Sequence, residues 1–137
     1  MSDQNNSLQA GLIKESFFVV RKEDTATFLG SGDINVLSTP AMIAMMENTA
    51  RLLVQEYLNP ENTTVGIRVN VSHLKAAPEG AKIRVIAKLT NIEGRKLIFD
   101  VDAYWNDIKI GTGEHERFIV NRERFLKKLM SILGEKE

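Results

Sequence analysis

Apolar and polar residues alternate through much of the second half of the chain, as they do along strands that bury one face. In the clearest run, residues 65–73, one face holds Val65, Ile67, Val69, Val71 and His73. Residues 81–92, 97–105 and 108–120 continue the alternation. The segments between them, APEG at 77–80, Glu93-Gly94 and Asn106-Asp107, are typical of turns. The pattern predicts four strands joined by short connections, which is an antiparallel arrangement.

Residues 39–58 follow the period of a helix instead. Thr39 is a suitable N-cap, Pro40 suits the first helical position, and NPEN at 59–62 ends the segment. One stripe of this helix is apolar except for a single carboxylate, and it consists of Ile43, Met46, Glu47, Ala50 and Val54. The more polar side holds Ala44, Asn48, Arg51 and Gln55.

Three further segments complete the chain. Residues 12–20 are expected to form a strand, TATFLG at 25–30 a second short extended piece, and the amphipathic region 121–137 a C-terminal helix. The polar residues 1–11 are expected to be flexible. One long apolar helix within a mainly antiparallel sheet predicts an α+β fold in which the sheet wraps around the helix. An open edge strand would suit pairing with a second copy.

Composition narrows the class of protein. At 137 residues the chain is expected to form a single domain, and 18 basic residues balance 18 acidic ones. That balance favours neither a nucleic-acid partner nor a membrane surface. The absence of cysteine excludes disulfides, thiolate zinc sites and a cysteine nucleophile. The polar start, MSDQNNSLQAG, lacks the pattern of a signal peptide, and no apolar run reaches the roughly 18 residues of a membrane span, so we expect a cytoplasmic protein.

Glu47 is the first candidate for chemistry, because a carboxylate on an apolar stripe is costly unless it is paired or used. Two interpretations stay open. Glu47 is functional, or it lies at the margin of the stripe, where it reaches solvent or pairs with a structural partner such as Arg68.

His73 and Thr39 are the next candidates. The alternation places His73 on the core face of its strand, where a hydrogen-bonded structural histidine is the simpler interpretation. The same face would be covered by the helix that carries Glu47. Thr39 is explained by capping alone, and Ser38 beside it could replace it as cap or as hydroxyl. Eight helical residues separate Thr39 from Glu47, a rise of about 12 Å, so their side chains need another group between them.

The last predicted strand has one face that is first small and then basic. Gly111, Gly113, His115 and Arg117 alternate along it. This face is either solvated, with glycines at a bulge, or it forms a groove for an anionic ligand. The two histidines, 42 positions apart, do not have the spacing of a metal site, and no P-loop or dinucleotide motif is present.

Taken together, STP followed by Glu47, the strand VGIRVNVSHLKAA and the segment GTGEHERFIV resemble the hotdog-fold acyl-CoA thioesterases. The subgroup most similar is that of fluoroacetyl-CoA thioesterase, over about residues 17–125. The resemblance implies a catalytic set of Thr39, Glu47 and His73, with Gly66 where the strand backbone approaches the acyl group. It also implies a homodimer, or a dimer of dimers, with active sites near the subunit interface.

The resemblance implies hydrolysis of a short- or medium-chain acyl-CoA, with coenzyme A as part of the substrate and no other cofactor or metal. Arg117 and Arg68 are candidates for contacting the phosphates of coenzyme A. Met42, Met45 and Met46 are candidates for a deformable wall around the acyl chain. The specialised fluoroacetyl enzyme carries lid aromatics before its threonine. Here no aromatic residue lies between Phe28 and Ser38, so the resemblance does not extend to fluoroacetyl selectivity.

Two alternatives to a thioesterase stay open at this stage. A hotdog dehydratase or hydratase would also use an acid and a histidine, although in a different motif, and it would not release free coenzyme A. A non-catalytic acyl-CoA-binding hotdog protein would bind the ester without cleaving it.

Overall fold

A computed structural model describes residues 7–135. Five strands form one antiparallel sheet in the order β1-β3-β4-β5-β2. The strands are β1 (Ile13–Val19), β2 (Asn62–His73), β3 (Lys82–Glu93), β4 (Lys96–Trp105) and β5 (Ile108–Asn121). The helices are α1 (Ala26–Leu29), α2 (Thr39–Gln55) and α3 (Arg122–Glu135), with a 3-10 turn at Lys22–Asp24. The predicted α+β class, with one long helix against a mainly antiparallel sheet, is confirmed.

The core lies between α2 and the concave face of the sheet, because α2 contacts all five strands. Its buried face includes Met42, Met46, Ala50 and Val54, each fully buried. Ile83, Val85, Leu97 and Phe99 face them from the two central strands and are also fully buried. The helix ends at Gln55, a few residues before the predicted Leu58, and residues 56–58 form a turn.

Both hairpin turns lie where residues tolerate a positive φ. Gly94 has φ 63° between β3 and β4, and Asn106 has φ 56° between β4 and β5. Glycine and asparagine populate this left-handed region at little cost, so these turns are readable from sequence. The Asn106-Asp107 turn is confirmed, whereas the first turn is centred on Gly94-Arg95, one residue later than predicted.

The prediction of an extended piece at residues 25–30 is wrong. Thr25 accepts a hydrogen bond from the Phe28 backbone N–H through its side chain, and Gly30 closes the turn in the left-handed region at φ 77°. These are the N-cap and C-cap signals of a helix, and the four residues between them form α1.

A β-bulge in β2 corrects the predicted alternation. Gly66 pairs with Arg117 and Arg68 with Glu116, so Ile67 is the extra residue. Before the bulge, the even-numbered residues of β2, such as Gly66, therefore lie on the core face. After the bulge, the odd-numbered residues, such as His73, lie on that face. Val65 does not share the inner face, contrary to the prediction.

β2 is an edge of the sheet, and its apolar residues near the bulge are open. Ile67 is 50% exposed and Val69 is 42% exposed, although Val69 lies on the inner face. An exposed apolar edge of this kind is a surface on which another strand can pair.

The ends of the described range differ from the predicted boundaries. Leu8 packs against the core, and Gly11 donates a backbone hydrogen bond to Leu89 at 2.7 Å, so residues 8–11 contact the sheet, and the flexibility of residues 1–11 stays a prediction. Residues 1–6 lie outside the described range. The C-terminal helix is confirmed as α3. None of the helices within residues 7–135 is long and apolar enough to span a membrane.

Candidate active site

The start of α2 presents two hydroxyls with different partners. Ser38 is the N-cap, and its Oγ accepts a hydrogen bond from the Ala41 backbone N–H at 3.1 Å. Thr39 is therefore the first helical residue rather than the predicted cap, and Pro40 is the second. Because Ser38 caps the helix, the Thr39 hydroxyl does not take part in capping, and it lies 2.8 Å from Nδ1 of His73.

His73 ends β2 and is turned toward the helix because the bulge resets the alternation. Its Nδ1 is engaged with Thr39, whereas its Nε2 is buried and without a hydrogen-bond partner among the described residues. Burial lowers the pKa of His73, and a backbone contact with Lys75 partly opposes this. The ring is thus neutral at physiological pH and keeps one nitrogen for another molecule.

A cavity of about 330 Å³ lies beside this pair. Its wall combines apolar side chains with hydroxyls and one lysine, and includes Val36, Leu37, Ser38, Thr39, His73, Leu74 and Lys75. A cavity that borders a histidine with a buried, unpaired imidazole nitrogen is an arrangement typical of ligand-binding sites.

Glu47 lies at the margin of the buried stripe of α2 and is half-buried. It forms no hydrogen bond or ion pair with another side chain within residues 7–135. Arg68, the structural partner considered from the sequence, pairs instead with Glu114 at 3.6 Å and Glu116 at 3.4 Å. The charge of Glu47 acts on Arg117, whose pKa is lowered by burial and raised in part by Glu47.

Gly66 leaves open a small space in front of Glu47. A Cβ at Gly66 would lie 3.4 Å from Oε2 of Glu47, and 3.3 Å from both Nη1 of Arg117 and Cε1 of His115. Any side chain here would therefore press against three functional groups. The limited room for a side chain at residue 66, and not an unusual φ, explains why this residue is glycine.

Arg117 is buried, at 6% exposed, and two residues hold its guanidinium. Its Nε donates to Oγ1 of Thr64 at 2.7 Å, its Nη2 to the Thr64 carbonyl at 2.9 Å, and its Nη1 contacts Nε2 of His115 at 3.1 Å. The solvated-face interpretation of this end of β5 is therefore wrong. The contact of Arg117 with the phosphates of coenzyme A stays a prediction, which the inward-facing guanidinium does not favour.

The methionines divide between core and cavity. Met42 is fully buried, and its Sδ would lie 2.5 Å from a Cβ at Gly111, so the helix and β5 are in close contact there. Met42 and Met46 are therefore core residues within the chain, and a place for Met42 in the wall around an acyl chain stays a prediction. Met45 lines a separate cavity of about 400 Å³, which Phe18 and Asp24 also border.

The structure brings the predicted residues together as two groups and not as one. Thr39 and His73 form one group, and Glu47 with Gly66 and Arg117 the other. Eight residues of helix separate Thr39 from Glu47, about 12 Å. Seven residues of strand separate Gly66 from His73, roughly 20 Å. Within one chain, Glu47 therefore does not contact the Thr39–His73 pair.

Sequence reasoning missed two residues of the second group. Thr64, which holds Arg117, was overlooked because the bulge in β2 hides its inward direction. His115 was noted only as part of a basic face, although its position two residues before Arg117 on the same face was the available signal.

The chain is similar to a described family and to one characterised enzyme. Residues 20–123 match the profile of the family described as FlK, fluoroacetyl-CoA-specific thioesterase. The fluoroacetyl-CoA thioesterase of Streptantibioticus cattleyicolor is 34% identical over 94 residues, which are 69% of this chain and 68% of the relative.

Solved structures give the same result for the fold. A point variant of FlK superposes with a TM-score of 0.85 at 29% identity, over 91% of this chain and 97% of the other. A thioesterase superfamily member from Thermus thermophilus gives 0.83 at 28% identity, over 93% and 94%. A hot-dog-like protein from Thermanaerovibrio acidaminovorans gives 0.83 at 21% identity, over 96% of each chain, and supports the fold alone.

Proposed function

The chain belongs to the fluoroacetyl-CoA-specific thioesterase family and is an acyl-CoA thioester hydrolase, in which we propose that Thr39, His73 and Glu47 carry out the cleavage. The observation that carries this assignment is the 2.8 Å contact between Thr39 and His73 at the start of α2, beside a cavity and with Nε2 of the ring unpaired.

Thr39 is proposed to act on the carbonyl oxygen of the thioester. It is the first residue of a 17-residue helix, where unpaired backbone N–H groups and the helix dipole favour negative charge. As the carbonyl carbon is attacked, its oxygen becomes an oxyanion that these groups and the Thr39 hydroxyl stabilise.

His73 is proposed to move the proton. In the water-mediated route, Glu47 takes a proton from the attacking water and passes it to neutral His73, which then gives it to the departing thiolate of coenzyme A as the tetrahedral intermediate collapses. In the covalent route, Glu47 itself attacks, the thiolate leaves, and water then cleaves the resulting anhydride. Both routes yield a free acid and coenzyme A, and the proposed steps use side chains and water alone.

Because Glu47 does not contact the Thr39–His73 pair of its own chain, we propose that the complete site forms in a homodimer. If two copies pair antiparallel through the open β2 edges, with the twofold axis between Val69 and Asn70, Gly66 lies opposite His73 of the partner subunit. Glu47, beside Gly66, then completes the partner's site. The exposed Ile67 and Val69 would be covered by the same pairing.

The proposed substrate is a short- or medium-chain acyl-CoA. Solved structures of FlK contain fluoroacetate with coenzyme A in one case and acetyl-CoA in another. Lys75 on the wall of the Thr39–His73 cavity is favoured over Arg117 as the candidate for contacting an anionic part of coenzyme A, and Arg68 is exposed but already paired with two glutamates.

Release of free thiol from a panel of acyl-CoAs, acetyl through decanoyl with aryl examples, tests the proposal. Wild type is expected to release thiol, Glu47→Gln to lose at least about 100-fold in kcat, and Glu56→Gln, an exposed glutamate at the end of the same helix, to stay near wild type. Binding without thiol release would indicate a non-catalytic module. Formation of a hydrated or dehydrated acyl-CoA without thiol release would indicate a hydratase or dehydratase.

A further inference from the structure

A fully buried histidine outside the proposed catalytic set lies behind Glu47. His115 is 0% exposed, in the middle of β5, and its ring stacks on Phe99 with centroids 6.0 Å apart. Neither the capping of a helix nor the proposed chemistry requires a histidine at this position, and an apolar residue would fill the space at less cost of burial.

The two contacts of His115 fix its protonation state. Nδ1 lies 2.8 Å from the Arg68 carbonyl oxygen, which can only accept, so Nδ1 carries the proton. Nε2 lies 3.1 Å from Nη1 of Arg117, which can only donate, so Nε2 accepts. The ring is therefore neutral and in the Nδ1–H tautomer.

The electrostatic surroundings agree with a neutral ring. Burial lowers the pKa of His115, and the charge of Arg117 lowers it further, while the Arg68 carbonyl and the charges of Glu47 and Glu116 oppose this. From the same helix as Glu47, Arg51 adds a positive charge near Arg117.

Arg117 is held on each of its three nitrogens. Thr64 binds Nε and Nη2, and His115 binds Nη1. Nη1 of Arg117 and Oε2 of Glu47 border the same open space at Gly66. The Arg117 guanidinium therefore cannot turn away from the Glu47 carboxylate without losing its hydrogen bond to His115.

From these contacts we propose that His115 is a positioning residue, which as a neutral hydrogen-bond acceptor holds Nη1 of Arg117 at the open space beside Gly66 and thereby keeps the positive charge of Arg117 near the Glu47 carboxylate during attack. The inference rests on the proposed function of Glu47. His115 touches neither substrate nor reacting atoms, and its effect passes through Arg117.

The tautomer can be measured directly on the wild-type protein. The chain has two histidines, so the imidazole ¹⁵N resonances are assigned with a His73→Gln variant. At pH 7.5 His115 is expected to show a protonated Nδ1 and an unprotonated Nε2. An imidazolium, or a proton on Nε2, would overturn the proposal whatever the activity of the protein.

A double-mutant cycle tests whether the effect passes through Arg117. His115→Phe leaves Nη1 of Arg117 without an acceptor, so kcat is expected to fall about tenfold with KM within about twofold. His115→Gln, whose side-chain oxygen can take the place of Nε2 as acceptor, is expected to restore most of it. In an Arg117→Gln background, His115→Phe should cause no further loss of kcat. If the double variant instead loses the product of the two single-variant factors in kcat, the inference is refuted.

Phe99→Leu is the matched control, because it disturbs the packing of the His115 ring and leaves both hydrogen bonds in place. It is expected to keep kcat within about twofold of wild type, and a loss as large as that of His115→Phe would show that packing alone is responsible. Wild type that releases no thiol would contradict the proposed function, whereas an active wild type with an additive cycle would contradict only the role of His115.

Discussion

Ser38 and Thr39 are adjacent hydroxyl residues with separate partners at the start of α2. Replacing Ser38 with Ala is expected to lower the free energy of unfolding by about 1 kcal/mol, because the Ala41 N–H loses its cap, with most activity kept. Thr39→Ala should keep the stability and lower kcat about 100-fold. Denaturant unfolding and thiol release measure the two effects. Equal losses of kcat in both variants would contradict the division.

The buried ring of His73 makes a prediction about pH. Burial lowers its pKa below the reference value near 6.5, and the neutral ring is the form proposed to take up the proton. The fall of kcat/KM on the acid side is therefore expected to begin below pH 6.5, and activity should be constant from there to pH 8. A profile that already declines between pH 8 and 7 would contradict a neutral, buried His73.

The pKa values of both histidines also affect stability, and in the same direction. Burial lowers the folded-state pKa of each histidine. As the pH falls below about 6.5, the unfolded chain therefore binds more protons than the folded chain does. Their contribution to stability is present above that pH and is lost on acidification through the folded-state values.

At the scale of elements, two glycines of β5 allow close packing in different directions. A Cβ at Gly111 would meet the flexible end of Met42, whereas a Cβ at Gly113 would overlap the backbone carbonyl of Asn70 on β2. Gly111→Ala is expected to cost about 1–3 kcal/mol of unfolding free energy, and Gly113→Ala more, because backbone cannot move aside as a side chain can. Urea unfolding of both variants tests the order. A smaller loss for Gly113→Ala would contradict the β2–β5 pairing.

Most elements could be predicted from sequence because their signals are local. The periods of α2 and of the strands, and the turns at Gly94 and Asn106, depend only on neighbouring residues. The bulge at Ile67 could not, because it is a mismatch between β2 and β5 and leaves the apolar alternation of the sequence unchanged. α1 was misassigned although its caps, Thr25 and Gly30, were visible, because four residues are too short to show a period.

The candidate site was predictable in part. The resemblance proposes Thr39, Glu47 and His73 as the catalytic set, and the structure places Thr39 beside His73 but Glu47 apart from both. The burial of Arg117 could not be foreseen, because a charged residue on an alternating strand is ordinarily solvated, and Thr64, which holds two of its nitrogens, is distant in sequence. The family, the fold and thioester hydrolysis are confirmed by the comparisons.

At the scale of the whole molecule, the separation of Glu47 from the Thr39–His73 pair makes the account depend on two copies. In a dimer joined through β2, each site would combine Thr39 and His73 of one subunit with Glu47 of the other. A single substitution in either group would then inactivate both sites of a homodimer, but it would leave one complete site in a suitable mixed dimer.

The most direct test mixes two inactive variants, Thr39→Ala and Glu47→Gln, after unfolding and refolding them together. Random pairing makes half of the dimers mixed, each with one complete site, so thiol release is expected to return to about a quarter of wild type. Subunit exchange is verified with two different affinity tags. If mixed dimers are recovered and release no more thiol than the separate variants, Glu47 does not act across the subunit interface, and the shared-site account is wrong.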